Sequence, residues 1–363
     1  MIDVLVAGGG PAGLATAIRC SQAGLLVVVA EPRSFPVDKA CGEGLMPGAL
    51  PRLAALGVEV AGLAGHPLRG IRYLDAGHRA DAPFRHGNGL GVRRVELHAA
   101  LSARAAALGI EVLPARVASF TQDEEGVMAA LRPTSVSTAD AGTGLGDFGR
   151  PITARYLVAA DGLHSPIRRS LGLDPPPAQH IRYGLRRHYR IAPWTDLVEV
   201  YWSEGCEAYV TPVGDDVVGV AVLGGSRAGL DSRLAAFPAL LDRLREAAPA
   251  SGVRGAGPLR QDVRCRVAGR VLMVGDAAGY LDALTGEGIG AALAQAEVLA
   301  ACLAAGRPAD YERSWRRVTR RGWVLTSGLL WSRHQRLLGP RIVPAAARLP
   351  WLFGAIVNQV AWA

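Results

Sequence analysis

The chain opens with a glycine-rich stretch, Gly8-Gly9-Gly10-Pro11-Ala12-Gly13, set between two segments of regular pattern. Apolar residues at positions 2–7 predict a buried parallel strand, residues 14–23 predict a helix, and residues 25–30 predict a second strand. Glu31 ends that strand about twenty residues beyond the glycines, where its carboxylate would accept hydrogen bonds from ribose hydroxyls and disfavour a 2′-phosphate. This order of elements indicates a dinucleotide-binding βαβ unit.

The positions of the glycine turn have separate tasks in such a unit. Gly8 permits the tight turn, Gly10 lets a pyrophosphate approach the backbone, and Gly13 lets the helix pack closely on the strand. Pro11 and Ala12 stand where the helix begins, and the unpaired N–H groups and positive dipole end there favour phosphate binding. The stretch therefore predicts a phosphate site, but the glycine spacing by itself fits NAD, NADP or FAD.

A second glycine-rich fingerprint lies far downstream and favours FAD. Gly275-Asp276-Ala277-Ala278 follows an apolar run at residues 270–274, so Asp276 would stand at the carboxyl end of a strand and accept hydrogen bonds from sugar hydroxyls. Residues 286–290 then begin an alanine-rich helix that runs toward Cys302. The N–H groups at the start of this helix could stabilise negative charge on a reduced flavin ring.

Four motifs resemble those of the FAD-dependent oxidoreductases with a para-hydroxybenzoate hydroxylase-like fold. This superfamily includes aromatic hydroxylases, geranylgeranyl and menaquinone reductases, and flavin-dependent halogenases. The motifs are the two fingerprints, Arg94-x-x-Leu97-x-x-x-Leu101 and Asp161-Gly162-Leu163-His164-Ser165-Pro166-x-Arg168. The resemblance implies that Arg94 contacts the flavin and that Asp276 binds its ribityl chain. It also implies that Asp161 belongs to the cofactor site; the alternative is that Asp161 is an ordinary turn residue. The candidate cofactor-binding residues are Gly8, Gly10, Pro11, Ala12, Gly13, Glu31, Arg33, Cys41, Gly42, Arg94, Asp161, Gly162, Gly275, Asp276, Gly286, Gly288 and Ile289.

The resemblance also implies the architecture. We expect an α/β fold in which a Rossmann-like (GR2-type) FAD-binding domain carries an inserted antiparallel β-sheet substrate domain and a C-terminal helical segment. Alternating apolar stretches at residues 197–202 and 217–223 support the antiparallel sheet. The expected FAD-binding domain is discontinuous and comprises residues 1–65, 91–175 and 262–310; the substrate domain comprises 66–90 and 176–261, and the helices 311–363. Residues 135–150, rich in Gly, Ser, Thr and Asp, predict a surface loop.

In the resembling family the antiparallel sheet covers the flavin ring and forms the substrate pocket. The candidate pocket residues on this sheet are Tyr183, Arg186, His188, Tyr201 and Tyr209. A structural role is the alternative for each of them, because aromatic residues suit strands in any case.

Two segments bear on the branch of the superfamily. Residues 38–44, Asp-Lys-Ala-Cys-Gly-Glu-Gly, resemble the K-x-C-G-x-G loop of the reductases and halogenases, and residues 282–289 resemble their D-P-L-T-G-E-G-I segment. Ala283 replaces the proline of that segment, and Thr211-Pro212 stands where geranylgeranyl reductases have an aromatic-rich run. The candidate catalytic residues are Lys39, Cys41, Glu43 and Asp282. The alternative is that this loop merely forms a turn and that its cysteine packs as a small apolar side chain.

The function that the resemblance implies is an FAD-dependent monooxygenase. NADH or NADPH would bind transiently and reduce the flavin, and oxygen would form a flavin C4a-hydroperoxide that hydroxylates an aromatic, quinone-like or polyketide small molecule. One alternative is a reductase of isoprenoid or quinone C=C bonds, of the geranylgeranyl or menaquinone reductase type. Another is a flavoprotein that holds FAD structurally or catalyses a cyclisation without redox chemistry.

Composition agrees with an enzyme that has a substantial core, since half of the 363 residues are hydrophobic. The five cysteines form no C-x-x-C pair, so we expect no metal site, no disulfide framework and a cytoplasmic location. The net charge of +8 comes from dispersed arginines without a nucleic-acid motif, which argues against a nucleic-acid partner. We expect a hydrophobic small-molecule substrate instead.

The C-terminal region is rich in tryptophan, with Trp315, Trp323, Trp331, Trp351 and Trp362. Its apolar end at residues 349–362 is too short for a transmembrane helix. We expect helices that pack over the flavin domain and close a tunnel for an apolar substrate. Peripheral membrane contact is the alternative interpretation.

Overall fold

The computed structural model describes residues 2–134, 151–174 and 181–362. The predicted surface loop at residues 135–150 lies outside the described residues. The chain forms two large β-sheets, one small sheet and a set of helices on the sheet faces.

The strands of the described residues follow in chain order. They are β1 (Ile2–Ala7), β2 (Val27–Ala30), β3 (Gly44–Leu45), β4 (Gly65–Leu68), β5 (Gly70–Leu74), β6 (Arg79–Pro83), β7 (Gly89–Val92), β8 (Glu111–Leu113), β9 (Ala115–Gln122), β10 (Val127–Pro133), β11 (Ile152–Ala159), β12 (Tyr183–Arg190), β13 (Leu197–Ser203), β14 (Cys206–Pro212), β15 (Val217–Gly224), β16 (Ala248–Pro249), β17 (Arg254–Ala256), β18 (Val267–Ala268) and β19 (Val271–Met273).

The α-helices of the same residues are α1 (Pro11–Gln22), α2 (Ala49–Ala55), α3 (Arg94–Ala107), α4 (Pro166–Ser170), α5 (Leu230–Leu234), α6 (Pro238–Leu244), α7 (Gly288–Ala304), α8 (Asp310–His334), α9 (Ile342–Arg348) and α10 (Pro350–Ala361). Three short 3₁₀ helices cover Val60–Gly62, Gly275–Ala278 and Gly339–Arg341.

The first large sheet carries the dinucleotide unit. Its strands lie in the order β18-β19-β11-β1-β2-β8, and β1 pairs in parallel with both β2 and β11. Apart from Asp3 near its start, strands β1 and β2 are apolar and buried, because α1, α3 and α7 belong to the layers that cover this sheet. The predicted βαβ unit is therefore present.

The element boundaries differ slightly from the sequence-based ones. Helix α1 begins at Pro11, three residues before the predicted start, because a proline without an N–H is well accommodated in the first turn of a helix. The second strand begins at Val27, since Leu26 is exposed and lies before the buried part of the strand.

The second large sheet is antiparallel over most of its width. Its order is β16-β12-β15-β14-β13-β5-β6, with β17 beside β12 and with β5 running parallel to β13. Strands β3, β7 and β4 form a separate three-stranded sheet. Residues 66–90, which the sequence assigns to the substrate domain, therefore contribute strands to two different sheets. The boundaries of the domains stay a prediction.

The C-terminal helices pack on the antiparallel sheet. Phe353, Val357 and Ala361 of α10 are buried in one apolar cluster with Trp202 and Tyr209 of the sheet. None of the helices in the described ranges is long and apolar enough to cross a bilayer.

Candidate active site

The glycine turn has the geometry that its spacing predicts. Gly8 has a φ of 111°, in the left-handed region, and a Cβ there would lie 2.4 Å from the carbonyl oxygen of Ala160. A Cβ on Gly13 would lie 1.8 Å from the carbonyl oxygen of Gly8. Gly10 instead faces open space, because a Cβ there would meet nothing nearer than Arg94 Nη2 at 3.9 Å. The turn is closed toward the protein and open toward a ligand.

Glu31 holds the turn from the end of β2. Its buried carboxylate accepts a hydrogen bond of 2.8 Å from the Gly9 N–H and bonds of 2.7 and 3.0 Å from Arg33 Nε and Nη2. Burial raises the pKa of Glu31, but the bonds from Arg33 outweigh burial and leave the pKa below its ordinary value. Ribose hydroxyls could bind Glu31 once the half-exposed Arg33 side chain moves aside.

Several polar atoms around this turn are buried without a partner. Among the described residues, Arg94 Nη1 and Asp161 Oδ1 have no hydrogen-bond partner. Asp276 is instead exposed to the cleft, where the enclosing protein raises its pKa although Lys39 and Arg94 lie near enough to lower it. Because an unsatisfied buried polar group is costly, these atoms indicate a polar ligand. Together with the open face of Gly10, they fit the ribityl and pyrophosphate groups of FAD.

A continuous cleft joins the two fingerprints to the antiparallel sheet. Its polar end is lined by Gly10, Pro11, Ala12, Lys39, Cys41, Gly42, Glu43, Arg94, Gly162, Gly275, Asp276, Gly286, Gly288 and Ile289. Its other end is lined mainly by apolar side chains, Met46, Leu185, Val198, Tyr209, Ala221, Leu223 and Leu259. The cleft thus combines the predicted cofactor residues with an apolar space under the second sheet.

Helix α7 points its N-terminus at the cleft. The helix begins at Gly288, and Gly288, Ile289 and Ala292 all line the cleft. Gln295 on the same helix accepts a 2.8 Å bond from the Gly275 N–H and so fixes the second fingerprint. Gln295 was not among the predicted site residues, although a glutamine within an alanine-rich helix was an available signal.

Arg168 holds the second fingerprint from the opposite side. Its buried guanidinium donates bonds to Asp174, to the Gln261 side chain at 2.8 Å and to the Ala277 carbonyl oxygen at 3.2 Å. The motif that begins at Asp161 therefore anchors the segment that carries Asp276. This is a structural role that supports the cofactor site.

The loop at residues 38–44 lies against the antiparallel sheet. Thr211 Oγ1 donates a 2.9 Å bond to the Gly42 carbonyl oxygen, and the Glu43 N–H donates to Cys41 Sγ at 3.3 Å. Burial raises the pKa of the Cys41 thiol, so the thiol is protonated at neutral pH. Lys39 is exposed and lines the cleft near Gly162.

Glu43 is the centre of a buried ionic network. It has a φ of 60°, and its carboxylate contacts His188 Nε2 at 2.6 Å and accepts a 2.8 Å bond from the Arg94 N–H at the start of α3. Arg186 extends the network by bonds to His188 Nδ1 at 3.1 Å and to Asp38 Oδ1 at 2.5 Å. Although Glu43 lines the cleft, its bonds make it a residue that positions the loop.

Three further candidate pocket or catalytic residues lie away from the lining of this cleft, and their roles stay predictions. Tyr201 lies on the opposite face of β13, where its hydroxyl donates to Glu199 at 2.8 Å, because side chains alternate along a strand and Val198 takes the cleft side. The His188 ring is turned to Glu43 and does not line the cleft. Asp282 lies outside the cleft lining and pairs with Arg182 at 3.1 Å.

The remaining predicted residues lie at or beside the cleft. Arg186 and Tyr209 line it, and the Tyr209 hydroxyl donates to the Leu284 carbonyl oxygen at 3.0 Å. Tyr183 lines an adjoining groove. Gly8, Gly13, Glu31, Arg33 and Asp161 surround the cleft without lining it.

Glu287 immediately precedes α7 and has no hydrogen-bond partner for Oε1 among the described residues. Its Oε2 lies so close to α8 that a Cβ on Gly322 would be 2.2 Å away. Burial raises the pKa of Glu287 to about 7 from its ordinary value of 4.5. The folded state therefore favours the protonated form, and this stabilisation is lost as the pH rises through 7.

Glu287→Gln should remove this pH dependence. We expect the stability of the wild type relative to the variant to fall by about 2 kcal/mol between about pH 5 and about pH 8. Urea unfolding of both proteins at the two pH values measures it. Asp282, whose pKa burial raises to about 6, titrates in both proteins and cancels in the difference. An equal loss of stability in the variant and the wild type would show that Glu287 does not titrate in this range.

A dinucleotide site that opens into an apolar space beneath a second, antiparallel sheet defines the class of FAD-dependent oxidoreductases. The chain belongs to the FAD-binding domain family, whose model matches residues 1–193. This membership confirms the superfamily and the cofactor that the glycine fingerprints indicate.

Curated relatives extend over most of the chain. It is 29% identical to the menaquinone reductase of Mycolicibacterium smegmatis over 339 residues, which cover 86% of this chain and 79% of that protein. It is 26% identical to the aurachin C monooxygenase/isomerase of Stigmatella aurantiaca, covering 83% of this chain and 80% of that one. The solved structure of a flavin-dependent brominase matches 100% of this chain and 94% of its own, with a TM-score of 0.82 at 17% identity. This last likeness shows the shared fold.

Proposed function

We propose that the protein is an FAD-dependent monooxygenase that uses NADH or NADPH and oxygen to hydroxylate an apolar aromatic, quinone-like or polyketide molecule. When bound, FAD would carry electrons from the nicotinamide donor to oxygen and so activate the oxygen for hydroxylation. The protein would hold the flavin, exclude water and place the substrate carbon beside the ring.

The observation that carries the proposal is the apolar end of the cleft. Its side chains are aliphatic or aromatic, and the ionisable groups at its edge are already engaged, as Arg186 is with Asp38 and Glu43 is with His188. A substrate there would be held by shape and apolar contact, and water would be excluded from the reacting carbon. The aurachin C monooxygenase/isomerase relative supports this choice.

The N-terminus of α7 supports the cofactor's part of the proposal. Gly288 and Ile289 bring the first N–H groups of the helix to the cleft, where the positive end of its dipole would stabilise an anionic reduced flavin. We further propose that the nicotinamide donor binds only transiently, because the sequence offers no second dinucleotide-binding βαβ unit of the kind that begins at residue 2.

Incubation with NADPH or NADH, labelled oxygen gas and candidate phenolic or quinone lipids tests the proposal. We expect one labelled oxygen atom in the product and oxygen consumption that depends on the substrate. A reduced product without the label would refute the monooxygenase.

A second candidate, a reductase of isoprenoid or quinone C=C bonds, is favoured by the protonated Cys41 thiol at the cleft and by the menaquinone reductase relative. In this reaction one carbon of the C=C bond would receive a hydride from the reduced flavin, and the Cys41 thiol would donate a proton to the other carbon. Cys41 would then be a general acid.

Cys41→Ala distinguishes the two candidates. If the protein is the proposed monooxygenase, we expect turnover within about threefold of the wild type, since no proton from Cys41 is needed. A reductase should lose about 10²- to 10⁴-fold in kcat. The control is Cys265→Ala, a partly buried cysteine outside the cleft lining. Steady-state rates with the same substrate and equal FAD content give the comparison.

A further inference from the structure

The C-terminal helices expose an unusual amount of apolar surface. Fourteen large apolar side chains are exposed in the described residues, and nine of them lie between Val324 and Trp362. Trp331, Leu337 and Trp351 are 61%, 72% and 67% exposed, and Leu352 and Ile356 lie beside Trp351 on α10. Because monomeric soluble proteins rarely expose contiguous apolar patches, this surface needs a partner.

The charge of the same region points to the kind of partner. Residues 313–363 contain nine arginines and no aspartate or glutamate. Arg313, Arg317 and Arg320 are exposed at helical spacing on α8, and the same stripe continues to Val324 and Trp331. The exposed face of α8 therefore changes from basic to apolar along its length.

The helices that carry these residues form one region. Helix α10 contacts both α8 and α9, and the short 3₁₀ helix at Gly339–Arg341 contacts α8 and α9. Exposed tryptophans and leucines beside arginines, without acidic residues, are typical of a surface that lies in the headgroup layer of an anionic membrane.

We propose that this surface, formed by α8, the segment at residues 335–341 and α10, docks the protein peripherally on an anionic lipid bilayer. Trp331, Trp351, Leu352 and Ile356 would insert at the interface, and the arginines of α8 would contact lipid phosphates. A second copy of the chain fits the surface poorly, because a symmetric contact would bring the arginines of both copies together while residues 313–363 offer no aspartate or glutamate to pair with them. This inference does not depend on the reaction that the enzyme catalyses.

The location of the surface suggests what docking achieves. The buried side of the same helices, with Val343, Ala346 and Phe353, belongs to one apolar cluster with Met46, which lines the cleft. The docked helices therefore pack on the same apolar core that borders the cleft, and docking would bring the active site close to substrates dissolved in the bilayer.

Sedimentation of the FAD-loaded protein with vesicles tests the proposal. We expect binding to vesicles of phosphatidylcholine mixed with phosphatidylglycerol, and at least tenfold weaker binding to phosphatidylcholine alone or at high salt. Trp351→Ser with Ile356→Ser, and separately Arg317→Gln with Arg320→Gln, should each weaken binding to the mixed vesicles at least tenfold. FAD content should be unchanged because these side chains are exposed.

Matched controls change the same residue types elsewhere. Leu26→Ser removes a 60% exposed apolar side chain, and Arg116→Gln with Arg132→Gln removes two exposed arginines. Both controls should bind the mixed vesicles as the wild type does. Absence of binding to the mixed vesicles would overturn the proposal, and so would equal losses in the controls. Self-association that the Trp351 and Ile356 variant abolishes, without vesicle binding by the wild type, would assign the surface to a second copy.

Discussion

Gly13→Ala should yield a protein that has lost its FAD and about 3 kcal/mol or more of its stability. The new methyl group would lie 1.8 Å from the carbonyl oxygen of Gly8, far inside van der Waals contact. Both atoms lie where the turn packs against the protein, so the clash can be relieved only if α1 moves away from β1. That movement would remove the N–H groups at the start of α1 from the phosphate site.

Flavin released by acid from the purified variant, together with urea unfolding, gives the two readouts. The control is Gly328→Ala in α8, where an added Cβ meets nothing within 4 Å. The same chemical change should there stabilise the protein by about 0.5–1 kcal/mol, because alanine favours a helix. If the Gly13 variant retained stoichiometric FAD, the close packing of the turn would not be what forms the site.

Glu43→Ala should cost about 3–5 kcal/mol, because removing one partner of a buried ionic network leaves the other partners unpaired. His188 would lose a contact of 2.6 Å, and the Arg94 N–H at the start of α3 would lose its acceptor. We also expect weaker FAD binding, since Glu43 fixes the loop that carries Cys41 and Gly42 to the cleft.

Glu43→Gln distinguishes a network from simple packing. The amide keeps the shape and can still accept from the Arg94 N–H, so we expect a loss of only about 1–2 kcal/mol. A double-mutant cycle with His188→Gln should show a coupling energy above 1 kcal/mol. Additive effects would mean that Glu43 and His188 act separately.

The fold was predictable where local sequence determines local structure. Strand β1, the glycine turn and the strand before Asp276 are read from apolar runs and glycine spacing alone, and the positive φ of Gly8 is what its place in the turn requires. The candidate cofactor residues of the glycine turn and of the Gly275-Asp276 segment follow from the same patterns, because one turn and one strand end position them.

The residues of the proposed substrate-binding part of the cleft could not be predicted as completely. The sequence shows that β13 is a strand but not which face meets the cleft, so it could not decide between a pocket role and a structural role for Tyr201. The network around Glu43 joins residues 145 positions apart in the chain, and no spacing pattern predicts such a pair. The raised pKa of Glu287 depends in turn on burial by the close approach of α8.

The most direct test of the monooxygenase proposal follows the flavin spectrum of the reduced enzyme in the absence of oxygen. The protein is first reduced with NADPH or NADH, and an apolar phenolic or quinone substrate is then added. We expect the flavin to stay reduced until oxygen is admitted, and then to reoxidise with release of a hydroxylated product. Reoxidation by the substrate before any oxygen enters, with release of a product in which a C=C bond has been reduced, would contradict the monooxygenase and establish the reductase.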